Sequence, residues 1–147
     1  MKPETNNIVF SPVTRWETNS ILNLYKDAGW WKDEYDPDEI PRIIVSSYLF
    51  IVGFLEKSDK TIAMGRILSD GFNGIIQDMC VLSDYRRKGI GIKLLDFLVS
   101  SAINRGLRQI TLVAEPGTIQ FYKKSGFIAH EKQIFYLYST GMIHEII

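Results

Sequence analysis

Apolar residues recur at helical spacing in two stretches of the chain. Ile21, Leu24, Tyr25 and Ala28 share one face and predict an amphipathic helix ending near Gly29. Ile90, Leu94, Leu95, Leu98, Val99 and Ala102 make the stripe of a longer helix, stopped by Gly106. Between these two the pattern changes. Residues 48–55 are aromatic and β-branched, and the polar turn at 57–60 leads into a second such run, 61–68, so the pair predicts a β-hairpin. Gly71 to Gly74 turns the chain into a third antiparallel strand, residues 75–81. A short extended segment, residues 8–11, comes before the first helix.

Asp36, Pro37 and Glu39 have the order of a helix start, with Asp36 as the cap and Glu39 in capping-box position. Pro41 conflicts with a helix running on from Pro37, because it removes a backbone hydrogen bond. The helix through Ile43 and Ile44 is therefore kinked or starts later. Downstream, residues 109–114 read as a buried strand, 118–125 as a short helix closed by Gly126, and 134–138 as a final strand. The order is mixed α/β, with a strand–helix–strand unit at its centre.

The length, 147 residues with 46% apolar, suits one domain spanning residues 1–147. Seventeen basic and seventeen acidic residues cancel, so no global field attracts nucleic acid, and an anion must be held locally. Cys80 is the single cysteine and His130 and His144 are the two histidines; zinc-ligand spacings are absent and no metal is expected. No stretch approaches the roughly 20 apolar residues that span a bilayer. A cytoplasmic protein with no membrane partner is the compositional expectation.

The segment with chemistry written into it is Arg86, Arg87, Lys88, Gly89, Ile90, Gly91, between the third meander strand and the long helix. The first turn of a helix leaves backbone N–H groups unpaired, and the dipole adds about half a positive charge there. Glycine lets a phosphate approach the backbone, and three cations stand beside the site. The plainer reading is a solvated charge run with glycines shaping a turn. Gly-x-Gly-x-x-Gly and Gly-Lys-Ser/Thr are both missing, which disfavours NAD(P) and P-loop nucleotides.

Residues 76–91, Ile-Gln-Asp-Met-Cys-Val-Leu-Ser-Asp-Tyr-Arg-Arg-Lys-Gly-Ile-Gly, resemble the fourth strand and Gln/Arg-x-x-Gly-x-Gly/Ala loop of the GCN5-related N-acetyltransferases (GNAT family). Residues 121–127, Phe-Tyr-Lys-Lys-Ser-Gly-Phe, resemble that family's second signature, Phe-Tyr-x-x-x-Gly-Phe. The resemblance runs from about Ile21 to Phe127. It implies a GNAT-like, mixed, mostly antiparallel sheet with a splayed central strand pair and helices on both faces. An acceptor-side helix–loop–helix would occupy about 16–47 and an acetyl-CoA-binding core about 75–127.

By the same resemblance, Met79, Cys80 and Val81 line the pantetheine arm of acetyl-CoA, the cosubstrate, and Arg86 through Gly91 hold its pyrophosphate. An amine attacks the thioester directly, and the Val81 N–H stabilises the oxyanion. Tyr122 falls where the family commonly has the tyrosine that protonates the departing thiolate; its plainer role is a core aromatic. Gly29, Trp30 and Trp31 resemble the Gly-Trp after the first helix of many bacterial members, some described as aralkylamine acetyltransferase-like. Trp31 and Tyr35, beside Asp33 and Glu34, would suit a small cationic amine with an apolar group, or else both tryptophans are core.

The chain also departs from the family pattern. Glu115 stands where Asn is common, and Ile75 stands where histone acetyltransferases have their glutamate base, which disfavours a histone substrate and leaves the base unassigned. Asp78, on the strand face opposite Met79 and Val81, either serves an incoming ammonium or anchors structure. Cys80 reads as a packed thiol rather than a nucleophile. The competing function is a catalytically degenerate CoA-binding sensor of the same fold. The aromatic last strand and the tail, residues 142–147, suggest a homodimer contact.

Overall fold

A computed structural model describes residues 7–138, in two compact units that divide after Glu115. In the first unit five strands stand in chain order, β1 (Ile8–Pro12), β2 (Leu49–Leu55), β3 (Thr61–Ser69), β4 (Asn73–Val81) and β5 (Gln109–Thr111). The pairs β1–β2, β2–β3 and β3–β4 are antiparallel, and β5 joins β4 in parallel. The parallel pair has a physical cause: a parallel connection needs a crossover, which α3 (Ile90–Asn104) supplies.

Residues Leu49–Gly53 and Thr61–Gly65 are buried without interruption. Successive strand residues point to opposite faces, so the sheet's middle is covered on both sides. One cover is α3, with Leu94, Leu95, Leu98 and Ala102 at 0% exposure. A Cβ on Gly65 would lie 2.7 Å from Leu98 Cδ1 and 3.3 Å from Met79 Cγ, so Gly65 and Met79 face α3. The other cover is α1 (Thr18–Asp27), whose buried Ile21, Leu24 and Tyr25 are the predicted stripe. The mostly antiparallel sheet with helices on both faces is as expected.

Pro41 is accommodated without a kink. Asp36 accepts a hydrogen bond from the Asp38 N–H and opens a 3-10 turn, Pro37–Glu39; α2 (Ile40–Ser46) starts there, leaving Pro41 in its first turn, where its missing N–H costs nothing.

Two strand expectations are corrected. β5 ends at Thr111 rather than Ala114, and Val113 beyond it is 67% exposed. Residues 134–138 form no strand, and each of their side chains is exposed, because no ladder pairs them among the described residues. The aromatic pattern alone does not make a strand. Residues 142–147, named above for a dimer contact, lie outside the described residues.

The second unit contains α4 (Ile119–Lys124), closed by Gly126 at φ +91°. Tyr122 lies in it between Phe121 and Phe127, edge-on to both, with ring centroids 5.0 and 5.9 Å away.

Candidate active site

β4 is paired differently along its length. Asn73, Gly74 and Ile75 pair with Gln109, Ile110 and Thr111 of β5 on one side, and Gly74 and Ile75 pair with β3 on the other. From Gln77 to Val81 the strand pairs with β3 alone. The Leu82 N–H donates to the Ile62 carbonyl across the β3 side. Strand alternation therefore turns the Val81 N–H away from β3, toward the edge β5 has left. The splayed pair is where the sequence places it.

Within the open half the β3–β4 register slips. Met64 pairs with Cys80 and Arg66 with Gln77, so Gly65 faces both Asp78 and Met79. This is a β-bulge, and Asp78 takes φ +53° to make it. The bulge brings two successive residues to one guanidinium: Arg66 Nε donates to Asp78 Oδ2 at 2.8 Å and Nη2 to Gln77 Oε1 at 3.3 Å. The Tyr25 hydroxyl donates to the same Oδ2 at 2.8 Å. Burial first, then the Asp78 carboxylate, pushes the Tyr25 phenol well above its usual range, so it stays protonated and remains a donor. Among the described residues nothing bonds Asp78 Oδ1.

From Tyr25 an aromatic chain leads outward. Its ring lies 5.6 Å from Trp31, and Trp31 lies 5.5 Å, edge-on, from Tyr35. The three expected acceptor residues, Asp78, Trp31 and Tyr35, are thus joined through Tyr25, which the sequence shows only as part of the apolar face of α1. Arg66 was also missed. A lone arginine inside an otherwise apolar strand was its signal, since a buried cation needs a carboxylate partner.

The loop after β4 is stapled at its base. Arg86 Nε donates to the Val81 carbonyl at 2.9 Å, and Nη2 lies 3.4 Å from Asp27 Oδ2. Arg87 and Lys88 are exposed; Arg87 and Gly89 both take positive φ, +61° and +79°, and α3 begins at Ile90 with no side-chain cap. A Cβ on Gly89 would meet nothing within 4 Å. Cations, first-turn amides and open space fit an anion such as a pyrophosphate. Two of Arg86's nitrogens, however, are engaged within the chain.

Met79 faces α3, whereas the Cys80 thiol points to the Leu24 carbonyl of α1, 4.0 Å away. Burial, reinforced by Asp78, pushes that thiol up to about 12. It is a packed, protonated group. Ile75 is 46% exposed and offers no base. Among the described residues no group of three or more His, Cys, Asp or Glu could hold a metal ion, and no helix is long and apolar enough to cross a membrane.

Comparison with known proteins agrees with this architecture. An uncharacterized N-acetyltransferase, ycf52, of Pyropia yezoensis is 31% identical over 121 residues, 76% of this chain and 68% of its own length. A GNAT-family acetyltransferase of Streptococcus pneumoniae superposes with a TM-score of 0.74 at 21% identity, covering 91% of this chain and 98% of that one. Glucosamine-6-phosphate N-acetyltransferase of Arabidopsis thaliana does so at 0.71 and 19% identity, over 91% of this chain and all of its own. The model of the acetyltransferase (GNAT) family matches residues 16–127, most of the chain and every element of the site just described, and the chain belongs to that family.

Proposed function

We propose that this N-acetyltransferase transfers the acetyl group of acetyl-CoA to the primary amine of a small cationic acceptor that carries an apolar group. The observation behind this reading is the open half of β4, with Asp78 Oδ1 on one strand face and the Tyr25–Trp31–Tyr35 chain leading from it. Acetyl-CoA, when bound, supplies the activated acyl group. Arg87, Lys88 and the first-turn amides of α3 would hold its pyrophosphate, and the β4 edge would take the amides of its arm as an added strand does.

Each residue has a definite task. Asp78 accepts a hydrogen bond from the ammonium at Oδ1 and takes its proton directly or through water, while Arg66 and Tyr25 fix the carboxylate through Oδ2. The aromatic rings attract the cation and cover the apolar part. The Val81 N–H, turned toward the open edge, would stabilise the oxyanion. Tyr122 donates a proton to the leaving thiolate, a role carried over from the Phe-Tyr-x-x-x-Gly-Phe match.

The test is an acceptor screen over arylalkylamines, polyamines, amino acids and aminoglycosides, reading free thiol released from acetyl-CoA. Arylalkylamines should be consumed fastest; acetyl-CoA binding with no release for any primary amine would overturn the reading. With the acceptor found, Tyr122→Phe should lower turnover about 100- to 10,000-fold at nearly unchanged CoA affinity. Turnover within about threefold of wild type, with chemistry rate-limiting, makes Tyr122 a packing residue.

A further inference from the structure

Asp27 is out of place by the rules of its own helix. It is the last residue of α1, the end at which the helix dipole disfavours a carboxylate, and local physics gives no reason for it. Its partners all lie outside the helix. Oδ1 accepts from the Ser83 hydroxyl at 2.8 Å; Oδ2 accepts from the Ser83 N–H at 2.9 Å and lies 3.4 Å from Arg86 Nη2. Ser83 opens the turn that follows β4, and Arg86 returns to the Val81 carbonyl. Two residues earlier on α1, Tyr25 reaches Asp78. One turn of α1 thus grips the open half of β4 at one point and the loop leading to α3 at another.

We propose that Asp27 is a positioning residue: a carboxylate clasp that sets the anion-binding loop and the acceptor-side helix in a single register, with Arg86 as part of the clasp. The proposal rests on the function proposed above. It moves Arg86 from phosphate ligand to support, because its Nε and Nη2 hold the Val81 carbonyl and Asp27, leaving the anion to Arg87 and to Lys88, whose Nζ lies 5.7 Å over the Tyr85 ring. It also joins the two substrates. A displaced Ser83 shifts the pyrophosphate loop, and a released α1 shifts Tyr25 and with it Asp78.

The sign of one effect decides the matter. By its field alone, a carboxylate near an anion site weakens anion binding, so its removal should tighten CoA. If the clasp positions the loop, removal should loosen CoA instead. Asp27→Asn is expected to weaken CoA binding about tenfold by titration calorimetry, the size of one lost charge-assisted hydrogen bond. It should also raise the acceptor KM at saturating acetyl-CoA and, because Asp78 moves with Tyr25, lower kcat. In an Arg86→Ala background the loss should be smaller, since the clasp is already half open. Ser83→Ala removes a single bond from the same carboxylate and serves if Asp27→Asn does not fold; it should act in the same direction by about threefold. Unchanged or tighter CoA binding in the folded variants would overturn the clasp. No CoA binding by the wild-type chain would instead overturn the proposed function on which the clasp rests.

Discussion

The two halves of β4 differ in their edges. Around Gly74 and Ile75 the strand has a partner on each side, and side chains close against the Gly74 backbone. From Gln77 to Val81 one edge is unpaired by β5, yet the faces remain packed, Met79 against α3 and Cys80 against α1. A sheet can expose backbone for a ligand without exposing its core, provided that the opening runs along the strand direction. Stability and ligand binding should therefore fail separately when the two halves are altered.

Cys80 tests the faces of the open half. Its thiol, pushed up to about 12 from an ordinary 9.0, should carry about 1,000-fold less thiolate at pH 8 than in the unfolded chain, with alkylation slowed accordingly. Folded and urea-unfolded protein alkylated side by side will show this; equal rates would mean that the face is open as well. The same shift has a stability consequence. The native state holds this proton longer than the unfolded one, so the contribution is complete below about pH 9 and is lost as pH rises toward 12.

Gly89 tests the end of the opening. Its φ of +79° strains any side chain, so Gly89→Asn and Gly89→Asp share the backbone cost and differ in charge. The Asp variant should bind CoA about 100-fold more weakly than wild type, as like charges brought together cost several kcal/mol, and the Asn variant should lose much less. Equal affinities for the two would remove the anion from this loop. Gly74 tests the sealed half. A Cβ there would meet Leu107 Cδ1 at 2.8 Å and Ile67 Cγ2 at 2.9 Å, so Gly74→Val should cost about 1–3 kcal/mol in urea unfolding. The CoA affinity of the folded fraction should not change; a matching loss of affinity would show the halves to be one unit.

The helices and the meander were legible in the sequence because period and composition report burial, and Ile21, Leu24, Leu94, Leu95 and Leu98 are all at 1% exposure or less. The ends of the chain's strands were not, since a strand needs a partner that its own residues do not encode; residues 112–114 and 134–138 have the composition without the ladder. At the site, the loop and Asp78 could be located from sequence. The bulge could not, because alternation assumes that every residue has one partner. The Asp78–Tyr25–Arg66 cluster joins elements distant in sequence. Asp27 carries a local signal, an acid at the wrong end of a helix, but that signal names no partner.

Asp78 meets two demands that narrow its alphabet. Its backbone at φ +53° admits Gly, Asn and Asp far more readily than other residues, and its Arg66 neighbour needs an anion. Glutamate has the charge but not the conformation, glycine the conformation but not the charge, and asparagine lacks only the charge. A library randomised at this codon and sorted for folding should favour aspartate, keep asparagine at lower stability and lose glutamate and glycine, and a second sort for acetyl transfer should leave aspartate alone.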